Sequence, residues 1–452
     1  MYNFSKYKDQ YRDNLRLALP VMMSQLGAIV VQVADNLMVG RYGGDDPLPL
    51  AAASFAGSFI FMPMVMAMGM TFGLTPIVGE LFAQGRKREL SGYLHNGIIL
   101  YTVMALLITV LLFAFIPLMW HLGQPDDVVE MAIPYYRLLS WSLLPMTLFF
   151  IFKQFLEGMG NTLVAMTCVI MCNIVNILLN HMLIGGEWGA TEMGVRGAGV
   201  ATLISRILMP ILLVGLILTM SRFRGYLTSF SLRNLTRTIC TKLVKLGFPI
   251  SAQVSLEVLA FVVIGFMFGW FDATAIGAFQ VAVTVGNASF MIVIAIGSAT
   301  TIRLSHCYGE RDVTQMRLAS TAAWHIALVW SVAVLIIFLL LRHQIVALFT
   351  TNEQIIELAS VLLLMIATYQ IPDGFQCIGV SIMRGMQDVK IIPVIALIAY
   401  WFCNMPIGYL CAFHLDMGPA GLYVGLIIGF IVASLLAYLR IRSQQTLMIN
   451  GD

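Results

Sequence analysis

Long apolar runs separated by short polar segments dominate the hydropathy pattern of this chain. Every run exceeds the roughly 20 residues that a helix needs to cross a hydrocarbon core. The twelve runs cover approximately residues 15–40, 51–82, 91–120, 127–155, 161–184, 194–221, 239–270, 274–304, 314–342, 353–383, 389–413 and 417–440. They predict an all-α integral membrane protein with twelve transmembrane helices.

Lysine and arginine are concentrated in alternate polar segments, and this predicts the orientation of the chain. With a cytoplasmic N-terminus, the inner segments contain Lys6, Lys8, Arg12, Arg16, Arg86, Lys87, Arg88, Lys153, the basic run 222–245, Arg303, Arg311, Arg317, Arg384, Lys390, Arg440 and Arg442. The outer segments contain only Arg41, Arg196 and Arg342. Under the positive-inside rule, both termini are expected to be cytoplasmic.

The second half of the chain repeats the first across a separation of about 224 to 229 residues. The clearest matches are Pro20 with Pro249, Pro145 with Pro372, and the Gly158-Met159 pair with Gly385-Met386. Because each half has an even number of crossings, a pseudo-two-fold axis along the membrane normal is expected.

Three segments follow from this repeat. They are an N-terminal six-helix bundle at 1–221, a cytoplasmic basic linker at 222–245, and a C-terminal six-helix bundle at 246–452. The four matched prolines are predicted kinks or hinges, because proline removes a backbone hydrogen bond inside a helix.

The acidic residues inside the apolar runs are not repeated between the halves, so they are candidates for function. Glu257 lies near the middle of the run Leu246–Trp270, where an ionised carboxylate needs protein, water or a bound cation. Gln253 lies one helical turn before it, and Tyr369 is one turn from Asp373. These oxygen-rich side chains predict a site for a hard monovalent cation such as sodium. The alternative is two independent structural acids, each paired with an arginine.

Pro372 adds a backbone oxygen to this predicted group. A proline cannot donate to the carbonyl four residues earlier, which leaves the Thr368 carbonyl without its helical partner.

A second polar group is predicted in the first half. Asp35 and Asn36 lie in the first predicted helix, and Asn173, Asn176 and Asn180 follow helical spacing along one face of the fifth. A buried carboxylate beside these amides could exchange a proton or respond to substrate. Alternatively, the asparagines only hold helices together by hydrogen bonds.

Two arginines, Arg137 and Arg206, also lie within apolar runs. Each is expected to pair with an acid such as Glu130 or to extend its charge to a membrane interface.

Composition and motif content restrict the possible classes of function further. Hydrophobic residues make up 59% of the 452 residues and charged residues only 11%, far below the roughly 25% of soluble domains. The sequence contains no phosphate-binding glycine loop, dinucleotide fingerprint or paired-histidine zinc motif. It also lacks a recognisable nucleophile with a positioned base. These observations favour a transporter over an enzyme.

Several segments together resemble the multidrug and toxic compound extrusion (MATE) family across essentially the whole chain. They are LALPVMMSQ with ADNLMVG, NILLNHMLIGG followed by GVRGAGVATLIS, and FLEGMGNT mirrored by IMRGMQDV. Within the family, SLEVLAF around Glu257 and QIPDGFQ around Asp373 resemble the NorM-type bacterial branch.

The resemblance implies an antiporter of the bacterial inner membrane that exports varied, often cationic aromatic compounds by alternating access through a V-shaped cleft. It implies that Glu257, Asp373 and Tyr369 bind the coupling cation, and that Asp35, Asn176 and Asn180 line a proton- or drug-linked cavity. Sodium and proton coupling both stay open, with sodium favoured because Glu257 and Asp373 occur together.

The expected partners are small-molecule drugs or toxins and the lipid bilayer, with no cofactor and no nucleic acid, and the protein is expected to act as a monomer. A lipid-linked saccharide flippase of the same superfamily is the alternative function. It should carry several cations in its central cavity to hold pyrophosphate, and only Arg137 and Arg206 are candidates.

Overall fold

The computed structural model describes residues 7–44, 46–228 and 235–450. Within these ranges it contains twelve helices that are long and apolar enough to span a membrane, which confirms the predicted fold class. The helices are α1 Lys8–Tyr42, α2 Leu48–Ala83, α3 Lys87–Met119, α4 Asp126–Gly158, α5 Leu163–Ile184, α6 Gly194–Thr219, α7 Arg237–Phe268, α8 Ala273–Glu310, α9 Val313–Ala347, α10 Glu353–Gly385, α11 Ile392–His414 and α12 Pro419–Met448.

Several helices continue beyond the apolar runs that predicted them. The first begins at Lys8 instead of residue 15, and the last ends at Met448 instead of residue 440. The reason is physical: hydropathy marks the part of a helix that suits lipid, whereas backbone hydrogen bonding continues into polar turns at the interface. Basic side chains such as Lys8 and Arg12 are therefore carried on a helix, whereas Arg86, Arg311 and Lys390 lie between helices.

Side-chain caps start three consecutive helices of the second half. The Asp272 carboxylate accepts a hydrogen bond from the Ala275 amide at 2.6 Å, and the Asp312 carboxylate accepts one from the Gln315 amide at 2.9 Å. The Asn352 side chain accepts from the Gln354 amide at 3.0 Å. Each cap satisfies an amide that the first turn of a helix leaves unpaired.

The chain divides into two compact units that do not follow its order. The N unit is Met23–Ser251, and the C unit combines Met1–Met22 with Ala252–Asp452. Both divisions fall inside a helix, two residues after the matched prolines Pro20 and Pro249. The predicted segments 1–221, 222–245 and 246–452 follow the chain order. They do not assign the start of α1 to the C unit or the start of α7 to the N unit. Lys6 and residues 229–234 of the predicted linker lie outside the described residues.

Polar contacts hold the start of α1 within the C unit. The Tyr11 hydroxyl lies 2.8 Å from His325 Nδ1 on α9, and Arg303 on α8 donates to the Gln10 carbonyl oxygen at 2.8 Å. Arg303 and Gln10 also contact each other through their side chains. The start of α1 is therefore attached to the C unit by specific side-chain contacts as well as by apolar packing.

Close backbone packing holds the start of α7 within the N unit. The Ser251 hydroxyl donates to the Met66 carbonyl oxygen of α2 at 2.8 Å. A Cβ atom on Gly73 would lie only 2.6 Å from the Gly247 amide nitrogen, so this contact requires glycine. Small residues permit such approach between membrane helices.

The predicted kink prolines all lie inside helices. Pro20 is in α1, Pro145 in α4, Pro249 in α7 and Pro372 in α10. The Pro372 carbonyl oxygen accepts a hydrogen bond from the Ser434 hydroxyl of α12 at 2.6 Å, which ties this part of α10 to its neighbour. The role of the four prolines as hinges stays a prediction.

Helix α11 is irregular in a way that hydropathy did not predict. Residues Leu397–Asn404 and Leu410–His414 form π-helical turns, which are wider than α-helical ones. Glycines of α12 accept this wider backbone: a Cβ on Gly425 would overlap the Asn404 carbonyl oxygen, and one on Gly429 would lie 2.8 Å from the Ala399 carbonyl oxygen.

We predict that Gly425→Ala destabilises the protein, because its new methyl group would overlap backbone of α11. Overpacking of this kind costs about 1–3 kcal/mol. The measurement is the unfolding temperature of the full-length protein in detergent. Gly215→Ala is the matched control, since no described atom lies within 4 Å of the added Cβ and alanine favours a helix interior. Equal unfolding temperatures for the two variants would contradict the packing account.

Candidate functional site

Glu257 of α7 is linked to a buried arginine through an intervening glutamine. Gln253 Nε2 donates to Glu257 Oε2 at 2.6 Å, and Arg384 Nη2 donates to Gln253 Oε1 at 2.6 Å. Because Gln253 and Glu257 are four residues apart on one helix, their side chains lie on the same face. The glutamine therefore fixes the carboxylate on one side and the guanidinium on the other.

Asp373 of α10 is the second acid of this group. It is 3% exposed and interacts electrostatically with Glu257, so the two acids lie in the same region of the C unit. Its Oδ1 atom has no hydrogen-bond partner among the described residues. An ionised carboxylate without a partner is costly inside a membrane.

The charges of the C-unit site do not cancel among its described members. Two carboxylates face one guanidinium, so full ionisation leaves a net charge of about −1. A proton or a bound monovalent cation removes this excess. Among the described residues, no group of three or more His, Cys, Asp or Glu side chains has a geometry that could hold a metal ion.

Aromatic side chains form one wall of the same site. Tyr369 stacks on Tyr423 with ring centroids 6.0 Å apart, and its centroid lies 5.3 Å from that of Phe430. Tyr369 also interacts electrostatically with Asp373. The structure therefore brings the predicted residues Gln253, Glu257, Tyr369 and Asp373 into one region of the C unit.

Two further polar residues belong to this region. Gln376 Nε2 donates to the Tyr400 hydroxyl at 2.8 Å, and Tyr400 interacts electrostatically with both acids. Gln376 follows Asp373 by one helical turn, a spacing that could have identified it. Tyr400 lies on the π-helical turn of α11, and no periodicity in the sequence points to it.

The participation of the Thr368 carbonyl oxygen in the acidic group stays a prediction, and the Thr368 side chain does not lie with the acids. It is exposed and, together with Pro372, lines an open groove on a neighbouring stripe of α10. Tyr369 and Asp373, one position later in each case, are buried. A rotation of about 100° per residue separates the two stripes.

In the N unit, the predicted polar group forms around Asp35. Asn180 Nδ2 donates to Asp35 Oδ1 and lies 3.2 Å from Asn176 Oδ1. The buried Asn180 Oδ1 and Asn173 Nδ2 atoms have no hydrogen-bond partner in the described part of the chain. Asn173 faces α1, since a Cβ on Gly27 would lie 3.0 Å from its Nδ2 atom.

Asn36 does not take part in this group. Its side chain is exposed, whereas Asp35 is partly buried. Successive helical residues point about 100° apart, so the sequence neighbour of a buried residue commonly faces away. Asn36 therefore lies apart from the hydrogen-bonded group, and its predicted role in the site stays a prediction.

Arg206 of α6 provides a cation next to Asp35. Its Nη1 atom donates to the Ser142 hydroxyl at 2.7 Å, and it interacts electrostatically with Asp35 and Tyr135. Its acidic neighbour is therefore Asp35 and not Glu130. Ser142 and Tyr135 were not predicted from the sequence, because a serine and a tyrosine in an apolar run carry no distinctive signal.

Arg137 and Glu130 are both exposed, unlike Arg206. Two arginines in apolar runs thus have different environments. The exposed one fits the expectation of a side chain that extends toward an interface.

Comparison with known proteins gives the family. The MatE family model matches residues 20–182 and again residues 249–410. The two matches begin 229 residues apart, at Pro20 and Pro249, which confirms the internal repeat predicted from the sequence.

The chain is also similar to curated bacterial proteins over nearly its full length. A protein named probable multidrug resistance protein NorM from Xanthomonas campestris is 30% identical over 447 residues, with 99% of this chain and 97% of that one covered. A protein named multidrug resistance protein NorM from Vibrio vulnificus is 30% identical over 461 residues, with 99% of both chains covered.

Solved structures with the same fold include a Vibrio cholerae MATE transporter, VcmN, with a TM-score of 0.89 at 18% identity over 98% of both chains. A MOP superfamily transporter from Pyrococcus furiosus has a TM-score of 0.87 at 22% identity, with 97% of this chain and 96% of that one covered. From its two family matches and its full-length relatives, this chain belongs to the multidrug and toxic compound extrusion (MATE) family of transporters.

Proposed function

We propose that this protein is a cation-coupled multidrug efflux antiporter of the bacterial cytoplasmic membrane, with both termini cytoplasmic. The observation that carries the proposal is the placement of Glu257 and Asp373 near a single guanidinium, Arg384, so that the pair has one excess negative charge when both acids are ionised. The multidrug resistance names of its full-length relatives support the assignment of substrate class.

In this proposal, the coupling cation is sodium, with protons able to occupy the same site. Sodium prefers oxygen ligands, which the two carboxylates, Gln253 and Tyr369 offer. A proton on either carboxylate would remove the same negative charge. The two ions therefore compete for one site, and sodium binding is expected to weaken as the pH falls.

Transport follows from alternating access. A cation entering from outside neutralises the acidic pair and favours the conformation that releases substrate. The cation-bound, substrate-free protein then opens to the cytoplasm, where the cation leaves and a new substrate binds. The substrate-bound protein opens outward again and accepts the next cation. A ligand shifts such an equilibrium only by its difference in affinity for the two conformations, so the buried charge is what gives the cation its effect.

The driving force depends on the charge of the substrate. An inward unit charge gains about 2.3 kcal/mol per 100 mV, and a tenfold ion gradient adds about 1.4 kcal/mol. Exchange of one cation for an uncharged compound therefore has about 3.7 kcal/mol available, enough for an accumulation ratio of several hundred. Exchange for a singly charged cation moves no net charge and retains the gradient contribution alone.

Asp35 of the N unit is proposed to respond to protons or cationic substrates. Arg206 supplies a built-in counter-charge to its carboxylate, so this group is closer to neutral than the C-unit site. A substrate cation that reaches Asp35 would replace this electrostatic partner. The N unit is therefore proposed to bind substrate, and the C unit the coupling ion.

A lipid-linked saccharide flippase receives less support from these residues. Such a protein should present several unbalanced cations to a pyrophosphate. Arg206 faces Asp35, and Arg384 is engaged by Gln253 beside two acids. Export of a fluorescent dye, measured against flipping of a labelled lipid-linked saccharide in the same vesicles, separates the two functions.

We predict that Asp373→Asn lowers sodium affinity at least about tenfold, equivalent to about 1.4 kcal/mol. The variant removes one negative charge while preserving side-chain shape, and leaves Glu257 balanced by Arg384. Sodium binding to the purified protein is the measurement. Asp416→Asn, the same chemical change at an exposed loop position, is the control and should bind sodium normally. Unchanged sodium binding by a folded Asp373→Asn variant would exclude this site.

We also predict that the double variant Asp373→Asn with Arg384→Gln regains part of the lost sodium affinity. Removing one carboxylate and one guanidinium returns the net charge of the site to about −1, and glutamine can still hydrogen-bond to Gln253. Sodium titrations of both single variants and the double variant give the comparison. If the double variant binds sodium no better than Asp373→Asn, charge balance does not control the site.

For the N unit, we predict that Asn180→Ala reduces dye export at least several-fold, because Asp35 loses a buried hydrogen bond worth about 1–3 kcal/mol. Asn36→Ala should export dye at the normal rate, since its side chain is exposed beside the same carboxylate. Export is measured in cells with equal amounts of protein in the membrane. Equal loss in both variants would contradict the observed geometry.

A further inference from the structure

An open groove of about 630 Å³ runs along the C unit between α9, α10 and α12. Its walls are mostly apolar and include Trp324, Phe375, Ile431 and Leu435. Two of the hydroxyls that reach it are engaged within the protein: the Thr368 hydroxyl donates to the Leu364 carbonyl oxygen at 3.0 Å, and the Ser434 hydroxyl donates to the Pro372 carbonyl oxygen at 2.6 Å. The groove therefore offers a hydrocarbon surface with few unmet polar groups.

The groove follows one face of α12. Its lining residues on that helix are Ile427, Ile431, Ser434, Leu435 and Tyr438, which recur at intervals of three or four residues except for the adjacent pair Ser434 and Leu435. Eleven residues separate the first from the last, a rise of about 16 Å at about 1.5 Å per residue. This is about half of a 30 Å hydrocarbon core, which is the depth of a single leaflet.

Interfacial residues mark one end of the groove. The rings of Trp324 and Tyr438 have centroids 5.7 Å apart, and the Arg442 guanidinium lies 5.1 Å from the Tyr438 ring centroid. Tryptophan, tyrosine and arginine are the side chains that membrane proteins place at the level of lipid headgroups. This end of the groove is therefore suited to the polar part of a lipid.

Arg442 has a charge that protein carboxylates do not neutralise in the described part of the chain. It is exposed, follows Tyr438 by one turn on the same face, and forms no salt bridge there. Arg440, two residues earlier, differs because its Nε atom lies 2.6 Å from Asp388 Oδ2. Arg442 thus offers an available guanidinium, and guanidinium groups match phosphate geometry well.

We propose that this groove binds one phospholipid, with an acyl chain along α12 and the headgroup phosphate on Arg442. The leaflet-length apolar surface fits a single acyl chain, and the cation at its mouth fits a phosphate and disfavours a cationic substrate. This proposal does not depend on the proposed antiport function.

The bound lipid would contact the segment of α10 that carries the second acid. Pro372 lines the groove, and the next residue is Asp373. Ser434, also in the lining, donates to the Pro372 carbonyl oxygen. The phospholipid would therefore pack directly behind the candidate cation site.

The test uses full-length protein stripped of lipid in detergent and titrated with phosphatidylglycerol, with lipid retention counted by native mass spectrometry. Ile431→Trp fills the groove, and Leu439→Trp is its control because Leu439 has similar exposure on α12 but is not a lining residue. Arg442→Ala removes the cation. Arg317→Ala is its control, an exposed arginine on α9.

We expect Ile431→Trp to lose the most tightly retained phospholipid and Arg442→Ala to bind it about tenfold more weakly, while both controls behave as the unchanged protein. Brominated phosphatidylglycerol should quench Trp324 fluorescence, measured as the difference from a Trp324→Phe variant. Diacylglycerol, which lacks the phosphate, should bind no more tightly to the unchanged protein than to Arg442→Ala.

Three results would overturn the proposal. The first is equal phospholipid retention by Ile431→Trp and Leu439→Trp. The second is displacement of the retained lipid by transported dyes, which would make the groove a substrate site. The third is conversion of a dimer to a monomer by Ile431→Trp, which would make it an interface between two copies of the chain.

Discussion

The cost of placing an ionised side chain in hydrocarbon governs the polar architecture of this protein. Each buried charge must have a partner, or it must exchange one with solution. Asp35 has Asn180 and Arg206, and Glu257 reaches Arg384 through Gln253. Asp373 has an unpaired oxygen among the described residues. This incomplete compensation separates a candidate coupling site from a purely structural salt bridge.

The two halves of the internal repeat share backbone positions but carry chemically different side chains at them. Because Gly158-Met159 corresponds to Gly385-Met386, the residues before them, Glu157 and Arg384, occupy matched positions. Glu157 forms a buried ion pair with Lys153 at 3.3 Å, whereas Arg384 serves the acidic site through Gln253. Prolines and glycines that shape the helices are retained between the halves, and the charged side chains diverge.

The sequence could predict the helices, the repeat and the candidate acids, because hydropathy, spacing and isolated charges are local signals. It could not predict the link from Glu257 to Arg384, which requires knowing that α7 and α10 approach each other. It could not show that Asn36 is exposed while Asp35 is partly buried, since neighbouring residues on a helix point in different directions. The π-helical turns around Tyr400 pack closely against glycines of α12, and no pattern within the α11 sequence predicts them.

The most direct test of a cation-driven mechanism is dye export by the purified protein in liposomes, with sodium and proton gradients imposed separately. An inward sodium gradient at equal pH is predicted to drive export. Protons that compete with sodium for the same site are predicted to slow it. Export at the same rate when neither gradient is imposed would contradict the central claim that buried carboxylates couple cation entry to substrate exit.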